Sequence, residues 1–166
     1  ISNNWNKMAI YYAMIKPHGK GKIYKLPFFK DPLVKYSFTN SDLELLSDGL
    51  KKMSLMLFKA GAKTIYPSIK DFDKIENINQ IDSIPNRLSR TKTSLMTIHL
   101  FCSVQLSGNK NLGPLSPEGH LWQDKSIYVS DSSMLIDSPS VNPQGIIMAL
   151  ARMNGRKFLN ILKNEI

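Results

Sequence analysis

Residues 8–15 run Met-Ala-Ile-Tyr-Tyr-Ala-Met-Ile without a charge, and Pro17-His18-Gly19 then interrupts them. An apolar run of this length, bounded by turn residues, predicts a buried strand. Residues 22–26 and 34–38 alternate polar and apolar side chains, which predicts two half-buried strands with Pro27 and Pro32 in their connection. The period then changes. Leu43, Leu46, Leu50, Met53 and Leu57 recur at three- and four-residue steps, predicting a helix over 42–60 whose Leu/Met stripe faces a core. Ser41-x-x-Glu44 has capping-box spacing at its start, and Gly61 suits the left-handed position past its end.

Residues 67–92 are polar and punctuated by Pro67 and Pro85, predicting an excursion or lid without regular structure. From 94 to 106 the chain turns apolar and β-prone around His99, as a long strand or a strand–bend–strand would. Gly108, Gly113, Pro114, Pro117 and Gly119 mark turns, and 126–130 predicts a short strand that stops at Asp131. Asn142-Pro143 opens a final helix over 143–162, with Ile146, Ile147, Leu150, Met153 and Phe158 on its apolar side.

At 166 residues the chain suffices for one sizeable core. It divides by character into 1–106 and a C-terminal segment, 107–166, within one compact unit. Its 22 Lys and Arg against 13 Asp and Glu give a net charge of +9, which would suit anionic partners. The lysines are scattered, however, and no basic helix or aromatic–basic platform accompanies them, so a nucleic-acid partner is not expected. Cys102 is the sole cysteine, which excludes an intrachain disulfide and a cysteine metal cluster; no metal site is expected. No apolar run approaches the roughly 20 residues of a transmembrane helix. The chain begins Ile1-Ser2 without methionine or a signal-peptide pattern, so the natural product is expected to be longer. The compartment stays open, with the cytoplasm favoured.

Two residues carry candidate chemistry. His99 lies in the apolar stretch Thr97-Ile-His-Leu-Phe101, where a lone histidine is by default a hydrogen-bonded core residue, but an imidazole can also move a proton near neutral pH. Asn142 precedes Pro143, a pair that caps a helix and leaves backbone N–H groups pointing out of its end, where negative charge is favoured. His18 and His120 sit beside glycines in turns and are expected to be exposed. Cys102 stands three residues from His99, a spacing that puts the two on opposite faces of a strand and argues against a thiol–imidazole pair. Trp5 and Trp122 suit packing or cavity walls.

Three ordered blocks resemble the carboxyl-terminal part of the glucose–methanol–choline (GMC) family of flavin-dependent alcohol oxidoreductases. The first is His99-Leu-Phe-Cys102-Ser103, in the frame where the family commonly has His, two residues and Gly-Thr. The second is Gly119-His-Leu-Trp122 leading to Tyr128-Val-Ser-Asp131-Ser132-Ser133. The third is Asn142-Pro143-Gln144-Gly145-Ile-Ile-Met-Ala-Leu-Ala151. The upstream helix and Tyr66-Pro67 resemble the bacterial branch that handles bulky or long-chain alcohols and sterols.

The resemblance implies an α+β fold: a mainly antiparallel substrate-domain sheet with flanking helices, plus the C-terminal return segment of a flavin-binding domain. It implies oxidation of a small-molecule alcohol by hydride transfer to FAD, the flavin cofactor. His99 would be the catalytic base and Asn142 its partner holding the substrate oxygen. Asp131, Ser132, Asn142, Pro143, Gln144 and Gly145 would bind the cofactor. Cys102 and Ser103 depart from the family's Gly-Thr, and Ile146 stands where Thr is frequent. No Gly-x-Gly-x-x-Gly fingerprint occurs in the chain, so the N-terminal FAD-binding half is expected to be missing, the chain alone would not hold FAD, and self-association through the uncovered surface is expected. The alternative is a non-catalytic substrate-binding or interaction module without its own cofactor.

Overall fold

Thr39 sets where the first long helix begins. Its hydroxyl accepts the Asp42 N–H at 3.1 Å and the Asp42 carboxylate accepts the Thr39 N–H at 2.8 Å, a reciprocal capping box. The helix, α1, therefore spans Asn40–Lys59, and the box lies upstream of the expected Ser41/Glu44 pair. Asp42 prevails because its carboxylate also accepts the N–H groups of His18 at 2.7 Å and Gly19 at 3.0 Å, whereas Glu44 is exposed. At the far end Gly61 has φ +97°, as expected, and donates to Phe58 while Ala62 donates to Leu57, the paired bonds of a Schellman turn.

The structure, a computed structural model, describes residues 2–164. By internal packing it divides into two units, one ending at Leu95 and the other beginning at Met96. In the first, α1 packs Leu43, with Leu46, Leu50, Leu57 and Phe58 partly buried, against Ile65, Ile69, Ile75, Ile81, Ile84 and Leu88. Most of those isoleucines come from the 67–92 stretch expected to be a lid, which is instead half of the core. Each stands alone among polar neighbours, so no period betrays it. Turns aim them inward: a 3₁₀ turn over Ile78–Ser83, capped reciprocally by Asn77 and Gln80, and the mutual backbone bonds of Ile65 and Ile75 at 2.9 and 2.8 Å.

Strands β1 (Gly21–Tyr24) and β2 (Leu33–Tyr36) pair antiparallel with Ile23 opposite Val34. They are the only ladder among the described residues, so the mixed α+β character is present while the expected large antiparallel sheet is reduced to one ribbon and scattered bridges. The ribbon is open on both faces, Ile23 being 59% exposed on one and Tyr24 42% on the other. Residues 8–15 form no strand and are not buried; Ile10 is 82% exposed. Apolar composition predicts burial but supplies no neighbour, and no described segment offers those N–H and C=O groups a ladder.

Asp42 is fully buried. Burial alone would raise its pKa, but the N–H groups of His18, Thr39 and Gly19 outweigh that and hold it at about 2. A carboxyl depressed in the folded state stabilises above its unfolded pKa, near 4, and loses that contribution as pH falls through the folded value. Acidification from pH 5 to 2 is therefore expected to cost the first unit on the order of 2 kcal/mol. Asp42→Asn should flatten that part of the pH profile in urea titrations; an unchanged slope would refute the assignment.

The second unit is built on bridges. Leu115, fully buried, pairs with Leu106 on one side and Leu121 on the other, and His120 bridges Tyr128. Thus 94–106 is mostly irregular instead of a long strand, and 126–130 is reduced to one bridge with flanking bonds, Leu121 N–H to Ile127 and Val129 N–H to Gly119. The last helix, α2, spans Gln144–Asn164. Its expected apolar face is only partly used: Ile147 and Leu150 are half-buried and Phe158 meets Tyr128, Ile146 and Met153 stay substantially exposed, and the most buried residue is Asn154, 3% exposed. The Asn154 amide donates to the Val129 carbonyl at 2.9 Å and lies 3.0 Å from the Met134 sulfur. No helix among the described residues is long and apolar enough to cross a membrane.

Candidate functional site

The stretch carrying His99 is laid beside the 131–134 turn by three contacts. Val104 N–H donates to Ser133, Leu106 N–H to Met134, and the Ser132 hydroxyl to the Leu100 carbonyl at 2.9 Å. Ser132, proposed from the sequence for the cofactor, is thus engaged in joining its own segment to the neighbour of His99. Asp131 accepts the Ser133 N–H at 2.7 Å and caps the 3₁₀ turn Ser132–Met134. The Ser133 hydroxyl and N–H hold its carboxyl below the usual aspartate range. The same segment reaches α2, where the Ser130 hydroxyl donates to Ala151 at 3.3 Å and Asn154 holds Val129. The three sequence blocks are therefore one connected construction within the second unit.

His99 is half-buried, and its ring meets Phe101 at 6.1 Å with a 31° tilt. Among the described residues no hydrogen bond fixes it, so it is not the satisfied core histidine that an apolar stretch suggests by default. Asn142 is exposed just before α2, and no hydrogen bond joins it to His99. Met96, Ile98 and Leu100 around His99, and Val141 beside Asn142, leave apolar side chains open to the surroundings.

Pro143 is buried and its carbonyl accepts the Ile147 N–H at 3.0 Å, so it stands at the boundary of α2 instead of within the first turn as expected. Lacking an N–H, it reduces the helix's unpaired donors to those of Gln144, Gly145 and Ile146. The first turn carries no acidic residue, so nothing in the helix itself neutralises its positive end. A Cβ built on Gly145 would meet no atom within 4 Å. The glycine is not required by this chain's own packing, and it leaves the donors open to close approach. These features suit negative charge laid against the helix end.

Cys102 occupies the position where glycine is usual in the resembling family, and its φ of +67° keeps the left-handed conformation that glycine tolerates. Cys102→Gly is therefore expected to relieve more than about 1 kcal/mol of backbone strain and, after the entropy a glycine adds to the unfolded chain, to raise stability by about 0.5 kcal/mol. A lower urea midpoint for that variant would show that side-chain contacts of the cysteine outweigh the strain.

Two positions escaped the sequence. His120 is buried, not exposed: its Nδ1 donates to the Leu121 carbonyl at 2.9 Å and its ring meets Trp122 and Tyr128 edge-on. Tyr128 in turn packs on Phe158 of α2. Asn154 had no signal except its place in an otherwise apolar helix face. Gly119 is its counterpart: φ is +93°, and a Cβ there would collide with the Asn154 amide. His18, by contrast, is exposed as expected, with Nδ1 3.3 Å from Asp42.

A family model for GMC oxidoreductases, in its C-terminal form, matches residues 20–151. An uncharacterized GMC-type oxidoreductase of Sinorhizobium fredii is 33% identical over 148 residues, covering 89% of this chain and 29% of that protein. A long-chain-alcohol oxidase of Arabidopsis thaliana is 26% identical over 172 residues, covering 96% of this chain and 22% of that protein. An uncharacterized GMC-type oxidoreductase of Mycobacterium tuberculosis is 24% identical over 145 residues, 87% of this chain and 23% of that protein. The chain thus spans less than a third of the length of these relatives, and no solved structure matches it.

Proposed function

The chain belongs to the GMC oxidoreductase family, and from that premise we propose that it is the C-terminal part of an enzyme that oxidises an apolar alcohol with FAD. The family is generally FAD-dependent, and the cofactor supplies the hydride acceptor when bound. The remaining tasks fall to this chain. His99 accepts the alcohol proton on an imidazole nitrogen, a role supported by its freedom from structural hydrogen bonds. Asn142 donates its amide to the same oxygen and holds the alcohol in line. The N–H groups of Gln144, Gly145 and Ile146 favour negative charge at the mouth of α2, worth about 0.3–2 kcal/mol for such a helix end. Asp131 and Ser132 border the cofactor through the turn they build.

The observation that carries this reading is the unneutralised, glycine-bearing start of α2, tied through 129–134 to the His99 stretch. The open apolar side chains near His99 and Asn142 support an apolar substrate, in keeping with the long-chain-alcohol oxidase among the relatives. The test is anaerobic addition of alcohols of rising chain length to the full-length natural product. Flavin absorption should bleach, and each buried methylene should raise kcat/KM about fourfold, from roughly 0.8 kcal/mol apiece. No dependence on chain length would remove the apolar substrate. A colourless full-length product would leave a binding module in its place.

A further inference from the structure

We propose that the first unit carries a separate site for a small amphipathic anion, a carboxylate or phosphate head on an apolar body. It lies between the turn at 68–71 and the 83–93 stretch, where a cavity of about 360 Å³ opens. Ligand pockets begin near that size, at roughly 300 Å³. Its floor is apolar, formed by Ile69, Phe72 and Leu88, two of them core residues.

The rim is cationic. Lys70, Arg87 and Lys92 line the cavity against one carboxylate, Asp71, and that carboxylate is taken by Lys92 at 3.0 Å. Neither Lys70 nor Arg87 has an acidic partner among the described residues. Two cations without an acidic partner thus border one apolar hollow. A guanidinium matches the paired oxygens of a carboxylate or phosphate, and the lysine adds a point charge.

Two further observations come from the same wall. Thr93 lines the same cavity, and its hydroxyl, closed off from solvent, is buried without a hydrogen-bond partner, a state that proteins mostly avoid. Ser68 and Asp71, which bracket the turn, have φ of +57° and +67°. Both are left-handed without being glycine, and such strain persists only where surrounding structure imposes it. The turn is imposed by Lys70 N–H to Lys92 at 2.6 Å and Ser94 N–H to Ser68 at 3.1 Å. An anionic head bound between Lys70 and Arg87 meets both cations, and the ligand's tail covers Phe72 and Leu88.

The site is independent of alcohol oxidation, and titration calorimetry on the full-length protein tests it with octanoate, octyl phosphate and octanol. The two anions should bind at least tenfold tighter than octanol, and the double variant K70Q/R87Q should abolish that preference, since two charge-assisted contacts are lost. Equal binding of octanol, or no binding of either anion, would overturn the proposal. So would octanoate that competes with the alcohol substrate and ignores K70Q/R87Q, because it would then occupy the oxidation site. Binding to phosphatidylserine vesicles without binding of the free amphiphiles would assign the cations to a lipid surface and equally refute a pocket.

Discussion

Replacing His99 by alanine in the full-length protein is expected to slow flavin reduction by alcohol about 10²- to 10⁴-fold, or roughly 3–5 kcal/mol of barrier. Flavin content and thermal midpoint should barely move. The asymmetry follows from how the residue is held: half-buried, one tilted contact to Phe101, and no hydrogen bond among the described residues. A side chain that supports so little can be removed at little structural cost, so loss of rate would report chemistry. His99→Gln, which keeps polarity without a base of comparable strength, should be nearly as slow. Parallel loss of flavin and of stability in His99→Ala would return the residue to a packing role.

Gly119→Val should be the most damaging change to the fold of the second unit, costing roughly 3–5 kcal/mol from backbone strain and overpacking together. At φ +93° a β-branched side chain is unfavourable before any contact is considered, and the new Cβ meets the Asn154 amide. The two contributions separate in a double-mutant cycle. Gly119→Ala should be less costly in an Asn154→Ala background, because only the strain remains. Additive urea midpoints would mean that the Asn154 contact contributes nothing. Asn154→Ala alone should cost about 1–3 kcal/mol, since the half-buried Val129 carbonyl loses its donor.

What the sequence made legible depended on whether a residue's role is local. Both long helices were placed within a few residues, and Gly61 was recognised, because periodicity and helix-end chemistry are properties of neighbours in the chain. The capping box slipped from Thr39/Asp42 to Ser41/Glu44 because the deciding N–H groups belong to His18 and Gly19, far away in sequence. The strand expected over 8–15 failed for a related reason: β structure needs a partner that composition cannot name. Isolated isoleucines such as Ile75 and Ile84, both almost fully buried, carry no period, so a polar stretch that holds them reads as a lid. Within the candidate site, His99 and Asn142 stood out through family spacing, whereas the links between their segments, Ser132 to Leu100 and Asn154 to Val129, are tertiary and had no local signature.

The buried amide at position 154 also bears on how the protein ages. Asn154 is followed by Gly155, the pairing whose side-chain amide is most readily attacked by the next backbone nitrogen to give a cyclic imide and then isoaspartate or aspartate. Helical backbone inside α2 holds those atoms apart, so the native state protects the bond that unfolding exposes. Each excursion of the second unit therefore risks a permanent edit. The aspartate formed would have to refold as a carboxylate facing the Val129 carbonyl and the Met134 sulfur, where no described donor receives it. Stability of this unit is in that sense a record of its history: molecules that open for long enough lose the means to close.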